Sequence, residues 1–338
     1  MKSLERVRRS IAGKNIDYLP FFPEVIAAAC QITGVNQSLY SNDSDIMANA
    51  LIAVRELCDY DGIYVSRDNL VLHQALGGEV VFPFDDEPFC TQALVDSVEE
   101  YRKLSIPSPQ KALGMKTVLE AAKIVQKRAG EDYYIQANID SGPFEMAAIL
   151  MGVERFLGEA LSIDEKLIHE FLSFCTDVVV EYGRAMIGTG VHGVQFGDSV
   201  ASLVGPEMFE KYVLPYQQKT VSGLSNKGSD IWIHICGNTK HIIPLLSNVG
   251  IQGFEVDSAV PLSEARKLIG NRIALKGNLN TTFLLTKKGA DVYRETQAMI
   301  RSGGLKTALI VSPGCGVPRM TPIENLAAME RACRDYRL

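Results

Sequence analysis

The chain has no long uncharged apolar run: nowhere in its 338 residues is there a stretch approaching the roughly 20 residues that a bilayer-spanning helix needs. It also has no basic excess. Thirty-four Lys and Arg stand against 40 Asp and Glu, a formal net charge of −6, whereas binders of nucleic acid or anionic membranes need a basic surface to displace counterions. Small molecules or another protein are the expected partners, with no nucleic acid and no membrane. Cysteine is sparse and odd in number, seven in all and widely spaced, which excludes a disulfide framework and fits a reducing compartment. The basic opening "MKSLERVRRSIAGKN" leads into no apolar core of a secretory signal, so the expected location is the cytoplasm. Repeats, low-complexity tracts and Pro/Gly/Ser-rich linkers are absent too, so nothing marks a domain boundary, and residues 1–338 are read as one domain.

What is present is an ordinary globular composition, 46% hydrophobic and 22% charged, with a strand followed by a helix as its recurring unit. Short β-branched or aromatic runs ending in polar or turn residues predict strands over 18–26, 61–68, 133–140, 191–199, 230–237, 251–258, 272–280 and 307–316. Between them "DEKLIHEFLSFCTDVVVEYGRAM", "GPEMFEKYVLPYQQKTVSGLS" and "LSEARKLIG" carry apolar residues at helical spacing. Eight strands alternating with helices predict an α/β fold, a closed parallel (β/α)8 TIM barrel with a short N-terminal helical extension. A doubly wound open sheet is the alternative.

A barrel carries its chemistry at the C-terminal ends of its strands. Those ends offer Glu24, Arg67, Asp68, Asn138, Asp140, Gln195, Asp198, His234, Cys236, Glu255, Asp257, Lys276, Asn278 and Cys315. In "HIC", residues two apart on a strand face the same way, so His234 and Cys236 both point to the axis. Cys315, between Gly314 and Gly316, can meet them from the eighth strand. Two thiolates and an imidazole are the donors zinc takes when one coordination position stays open. Glu255 is the candidate for that fourth position, and Asp257 for orienting a ligand; surface or N-cap roles are the alternative for both, and a turn role for Asp257 before "SAVPLSEAR". Asn138, Gln195 and Asp198 are substrate-binding candidates by location alone. The other cysteines in helical patterns, Cys30, Cys58, Cys175 and Cys333, read as core filler, and His73, His169, His192 and His241 as solvated or satisfied histidines. "GTGVHG" at 188–193 matches a dinucleotide fingerprint but precedes a strand instead of leading from one into a helix, so that reading fails.

The segments "GVHGVQFGDSVASLVGPEMFEKYVLPYQ", "HICGNTKHIIPLL", "VPLSEARKLIGNRIALKGNLNTTFLL" and "VSPGCGVPRMTPIENLAAM" together resemble the uroporphyrinogen decarboxylase superfamily over nearly the whole chain. The resemblance implies a (β/α)8 barrel. Its His-x-Cys and distant Cys are similar to the zinc-dependent corrinoid methyltransferases, of the methylcobalamin:coenzyme M and O-demethylase types. That branch implies zinc held by His234, Cys236 and Cys315. It further implies methylcobalamin or another corrinoid as co-substrate on a separate corrinoid protein, and a small thiol, ether or alcohol as methyl donor or acceptor. The decarboxylase branch is the rival: its aspartate motif is similar to "VSRDNLVLHQALGGEV", which implies that family's catalytic aspartate at Asp68, a substrate-binding candidate on the methyltransferase reading. Yet no arginine-rich signature follows "LPFFPEVIAAAC", where the next arginine is Arg55, and Cys315 stands where the decarboxylases carry a histidine. A catalytically idle barrel with structural zinc is the third reading.

Overall fold

The computed structural model describes residues 1–159, 164–225, 228–304 and 308–336. Seven parallel strands form one curled sheet: β1 (Gly62–Val65), β4 (Tyr134–Ser141), β5 (Gly193–Gly197), β6 (Asp230–Ile235), β7 (Gly253–Val256), β8 (Ala274–Leu279) and β9 (Leu309–Pro313), hydrogen-bonded in that order. The remaining pair, β2 (Val80–Val81) and β3 (Phe89–Cys90), makes a separate antiparallel hairpin. Each of these seven strands falls within or against a range expected from the sequence, although Thr307 of the last range lies outside the described residues.

The first expected strand, 18–26, is reduced to a single bridge between Phe21 and Val311. Pro20 and Pro23 flank that position, and proline brings no N–H to a ladder. The segment still closes the ring. Val311 N donates to Pro20 O and Phe22 N to Val311 O on one side, while Asp61 N donates to Phe21 O on the other. The (β/α)8 reading therefore holds, with one stave pared to its minimum.

Helices cover the outside. Glu165–Ile187 starts where Asp164 caps the Lys166 N–H, and Leu262–Ile269 ends at Gly270 with φ +80°. "GPEMFEKYVLPYQ" is not one regular helix. A π-helical segment, Phe209–Val213, precedes Leu214–Leu224, because Pro215 cannot donate to the preceding turn. The N-terminal helix Ser3–Ile11 packs at the opposite end of the barrel from the strand C-termini: Ser10 Oγ donates to Leu309 O and Leu4 N to Asp132 O.

Inside the barrel, Phe22, Tyr64, Tyr134, Trp232, Ala274 and Ile310 pack together with Val7 from that helix. Trp232 fits because its neighbour in register is Gly253, where a Cβ would lie 2.0 Å from the indole. Above this apolar plug, alternation brings a second, polar layer inward. His234, Glu255 and Lys276 are partners in register across β6, β7 and β8, two residues beyond Trp232, Gly253 and Ala274. Register thus decides which polar side chains meet.

Candidate metal centre

His234 is near the end of β6, and Cys236 directly follows that strand. Cys315 follows β9 on a loop pinned from both sides: Gly314 N donates to Leu279 O, and Val317 N donates to Glu24 O. Gly314 is required for close approach, since a Cβ there would lie 2.6 Å from Ser258 N. The three side chains converge. His234 Nε2 lies 2.9 Å from Cys236 Sγ, Cys236 Sγ lies 3.7 Å from Cys315 Sγ, and all three donor atoms fall within 4.8 Å of one another.

That set fits zinc on dimensions as well as on type. Zn–S bonds of about 2.3 Å at tetrahedral angles put two sulfurs roughly 3.8 Å apart, against the 3.7 Å found. The nitrogen-to-sulfur edge should be roughly 3.5 Å, so the His234–Cys236 pair, at 2.9 Å, would open by about 0.6 Å on binding the metal. As they stand, the side chains share protons. Hydrogen bonding from Cys315, together with His234, holds the Cys236 thiol down at about 4 against its burial. The Cys315 thiol is pushed up by that same contact and by burial. Burial alone would lower His234, but Glu255 and Cys236 raise it to about 10.

Glu255 is fully buried and lies on the other side of the imidazole. Its carbonyl oxygen is 3.2 Å and its Oε2 3.6 Å from His234 Nδ1, so it backs the ring and stands outside the three-donor cluster. Burial and the neighbouring Glu24 push its carboxyl up to about 8. Glu24 is depressed despite its burial, because Lys276 lies 2.7 Å away.

The donors line a cleft of about 540 Å³ at the strand C-termini, together with Glu24, Tyr64, Arg67, Asp68, Asn138 and Gln195 and the hairpin residues Phe89 and Cys90. Asp68 lines it, but its carboxylate is bound to Arg67 at 2.6 Å and to Leu70 N at 2.7 Å. Asn138 and Gln195 line it with their amides already engaged: Asn138 Nδ2 donates to Ser66 Oγ and Asn69 Oδ1, and Gln195 Nε2 to Glu24, Tyr64 and Glu255. Besides Glu255, two candidates for contacting or orienting the substrate do not line the cleft. Asp198 is fully buried to one side, accepting from Glu145 N and Gln217 Nε2, and Asp257 accepts from Ala259 N in the turn after β7.

Three of the remaining histidines and the four helical cysteines take the plain roles: His192 Nδ1 accepts from Ile135 N, His169 meets Tyr216, His241 meets Val204 O, and Cys30, Cys58, Cys175 and Cys333 are buried. His73 departs from the expectation: it is buried with neither ring nitrogen hydrogen-bonded among the described residues, and burial lowers its pKa so that the ring is neutral. Sequence reasoning passed over Cys90 and the hairpin that carries it, because two-residue strands leave no alternation to read. It also named Lys276 and Glu24 only as strand-end residues.

A sequence profile described as "Uroporphyrinogen decarboxylase (URO-D)" matches residues 2–336. The methylcobamide:CoM methyltransferase MtbA of Methanosarcina acetivorans is 27% identical over 340 residues, covering 98% of each chain. The methylcobamide:CoM methyltransferase MtaA of Methanosarcina barkeri is 26% identical, covering 98% of this chain and 97% of its own. A solved structure titled as a methyltransferase from Methanosarcina mazei superposes with a TM-score of 0.89 at 25% identity, over 99% of this chain and 98% of that one.

Proposed function

Within the uroporphyrinogen decarboxylase family, to which the chain belongs, we propose that this protein is a zinc-dependent methyltransferase. It moves a methyl group between a corrinoid, carried by a partner protein, and a small thiol, with an ether or alcohol as the other class of donor or acceptor. The observation that carries the reading is the convergence of His234, Cys236 and Cys315 at an open cleft. The named relatives, corrinoid:thiol methyltransferases along nearly their whole length, support it. The family match over 2–336 supports reading 1–338 as a single barrel, and with no helix long and apolar enough to cross a membrane among the described residues, a cytoplasmic location is part of the proposal.

Zinc bound here would supply a Lewis acid that lowers the pKa of a substrate thiol while two thiolate ligands keep the sulfur electron-rich. The chain does the rest. His234, Cys236 and Cys315 hold the metal, Glu255 fixes the imidazole from behind, and Tyr64, Leu70, Phe89 and Val317 contribute apolar surface to the cleft. In the thiol direction, the S–H proton leaves to solvent and sulfur forms its bond to the methyl carbon. The carbon–cobalt bond breaks with its electron pair on cobalt, taking cobalt(III) to cobalt(I). Asn138, Gln195 and Asp68 shape the substrate's space, with Asp198 and Asp257 acting through the fold.

Decarboxylation of a porphyrinogen is the weaker reading. Eight substrate carboxylates need guanidinium partners, and among the described residues Arg67 is the one Lys or Arg lining the cleft, already bound to Asp68 and Gln74. A purely structural zinc would be expected in a closed four-ligand site, not with three donors facing an open cleft. The test is to incubate the zinc-loaded protein with methylcobalamin and a small thiol and follow the methyl–cobalt absorbance. Its decay should require zinc and His234; no decay with any thiol, alongside carbon dioxide release from a porphyrinogen, would reverse the assignment.

A further inference from the structure

The layer beneath the three donors contains a charged group where barrels of this kind usually place branched apolar residues. Lys276 has no exposed surface. Its Nζ lies 2.7 Å from Glu24 Oε1 and 3.3 Å from Glu255 Oε1, and it faces the rings of Phe22 and Tyr64 at 4.9 and 5.0 Å. Gln195 ties the same two carboxylates together, with Nε2 at 2.7 Å from Glu24 Oε1 and 2.8 Å from Glu255 Oε2. The amide is itself oriented by Gln136 Nε2, which donates to Gln195 Oε1 at 3.0 Å.

Burying an ammonium and two carboxylates carries a desolvation cost that well-packed apolar residues would avoid. The arrangement therefore calls for a role beyond filling space. Lys276 touches none of the three donors. It acts on Glu255, and Glu255 is the residue that meets His234 Nδ1 through both its carbonyl and its carboxylate. A metal-bound imidazole is set in tautomer and orientation by whatever holds its other nitrogen.

We propose that Lys276, gripped by Glu24, is a positioning residue for the metal centre: it fixes the Glu255 side chain behind His234, so that Nε2 is presented to Cys236 and Cys315. The inference rests on the zinc reading above, but it concerns metal affinity and ligand geometry and needs neither corrinoid nor methyl acceptor to test.

The experiment compares wild type with Lys276→Met and with the double variant Glu24→Gln/Lys276→Gln, which removes one positive and one negative charge and so keeps the formal charge of the layer. Zinc affinity is measured by competition with a chromophoric chelator. Cobalt(II) is then substituted to read the d–d bands, which report ligand geometry, and the sulfur-to-cobalt charge-transfer band, which reports the thiolates. Both variants should bind zinc about 10- to 100-fold more weakly, with an altered d–d envelope and a retained charge-transfer band. Circular dichroism identifies any variant that fails to fold, and the better-folded of the two then decides. Wild-type affinity and cobalt spectrum in a folded variant overturn the inference alone, as does recovery confined to the charge-preserving double variant, which would make the layer a matter of charge balance. Failure of the wild type itself to take up zinc overturns the inference together with the proposed function.

Discussion

Glu255 meets His234 at Nδ1, the ring nitrogen turned away from the two thiols, while Nε2 faces Cys236 at 2.9 Å. This sorts the four residues the sequence marked for zinc into three that share a common point and one that stands behind them. A graded response to substitution is expected. Cys236→Ser or Cys315→Ser should lose zinc on dialysis, because a thiolate donor is gone. Glu255→Gln should still hold close to one zinc per chain at saturating metal, at an affinity reduced about 10- to 100-fold. Metal analysis beside chelator competition reads both quantities, and equal loss from all three variants would put Glu255 among the ligands.

Asp198 directly follows β5, a strand-end position from which it is expected to touch substrate, yet its carboxylate accepts from Glu145 N and Gln217 Nε2 in the interior. Asp198→Ala leaves those two donors without a partner, and should lower the unfolding free energy by about 2–4 kcal/mol. Urea denaturation measures that loss. The fraction that remains folded should keep the wild-type KM for the methyl acceptor; a raised KM with unchanged stability would return Asp198 to the cleft.

Much of this molecule was legible because barrel chemistry follows two periodicities. Strand-end position and the alternation of "HIC" were enough to bring His234, Cys236 and Cys315 together, since both are local properties of the chain. Asp198 and Asp257 occupy strand-end positions as well, and there the rule gave the wrong neighbours. Whether a side chain beyond the last ladder bond turns to the axis or caps a nearby helix or turn depends on the loop's path. Lys276 and Glu24 are 252 residues apart, and their pairing depends on ring closure at Phe21, which no window of sequence contains. The bridge at 18–26 shows the converse: Pro20 and Pro23 were visible, and their lack of N–H groups was reason to expect a pared strand.

Glu145, at the start of helix Pro143–Met151, is pushed up to about 8 by burial and by the nearby Asp198, while accepting a hydrogen bond from Ser199 N. In an unfolded chain a glutamate titrates near about 4.3. The folded state therefore holds the proton over that interval and the unfolded state does not, so this group's contribution to stability is full below about 4.3 and is lost as pH rises through about 8. Glu145→Gln removes the slope. Between pH 5 and pH 8 the wild type should lose about 2–4 kcal/mol more stability than the variant does, measured by urea denaturation at the two pH values; parallel curves would show that Glu145 is ionised throughout.

Cys90 is the third thiol lining the cleft, on the hairpin and outside the donors' cluster. Coordination and exposure therefore make separate predictions for the three. In zinc-loaded protein, iodoacetamide should modify Cys90 and spare Cys236 and Cys315, because a metal-bound thiolate has its lone pairs engaged. After chelation Cys236, held at about 4, is a thiolate throughout the neutral range, so its alkylation rate should be nearly the same at pH 6 and pH 8. Peptide mapping by mass spectrometry follows each site, and Cys90→Ser should leave zinc affinity unchanged. Protection of Cys90 by zinc would bring the hairpin into the metal centre and make its closure a part of metal binding.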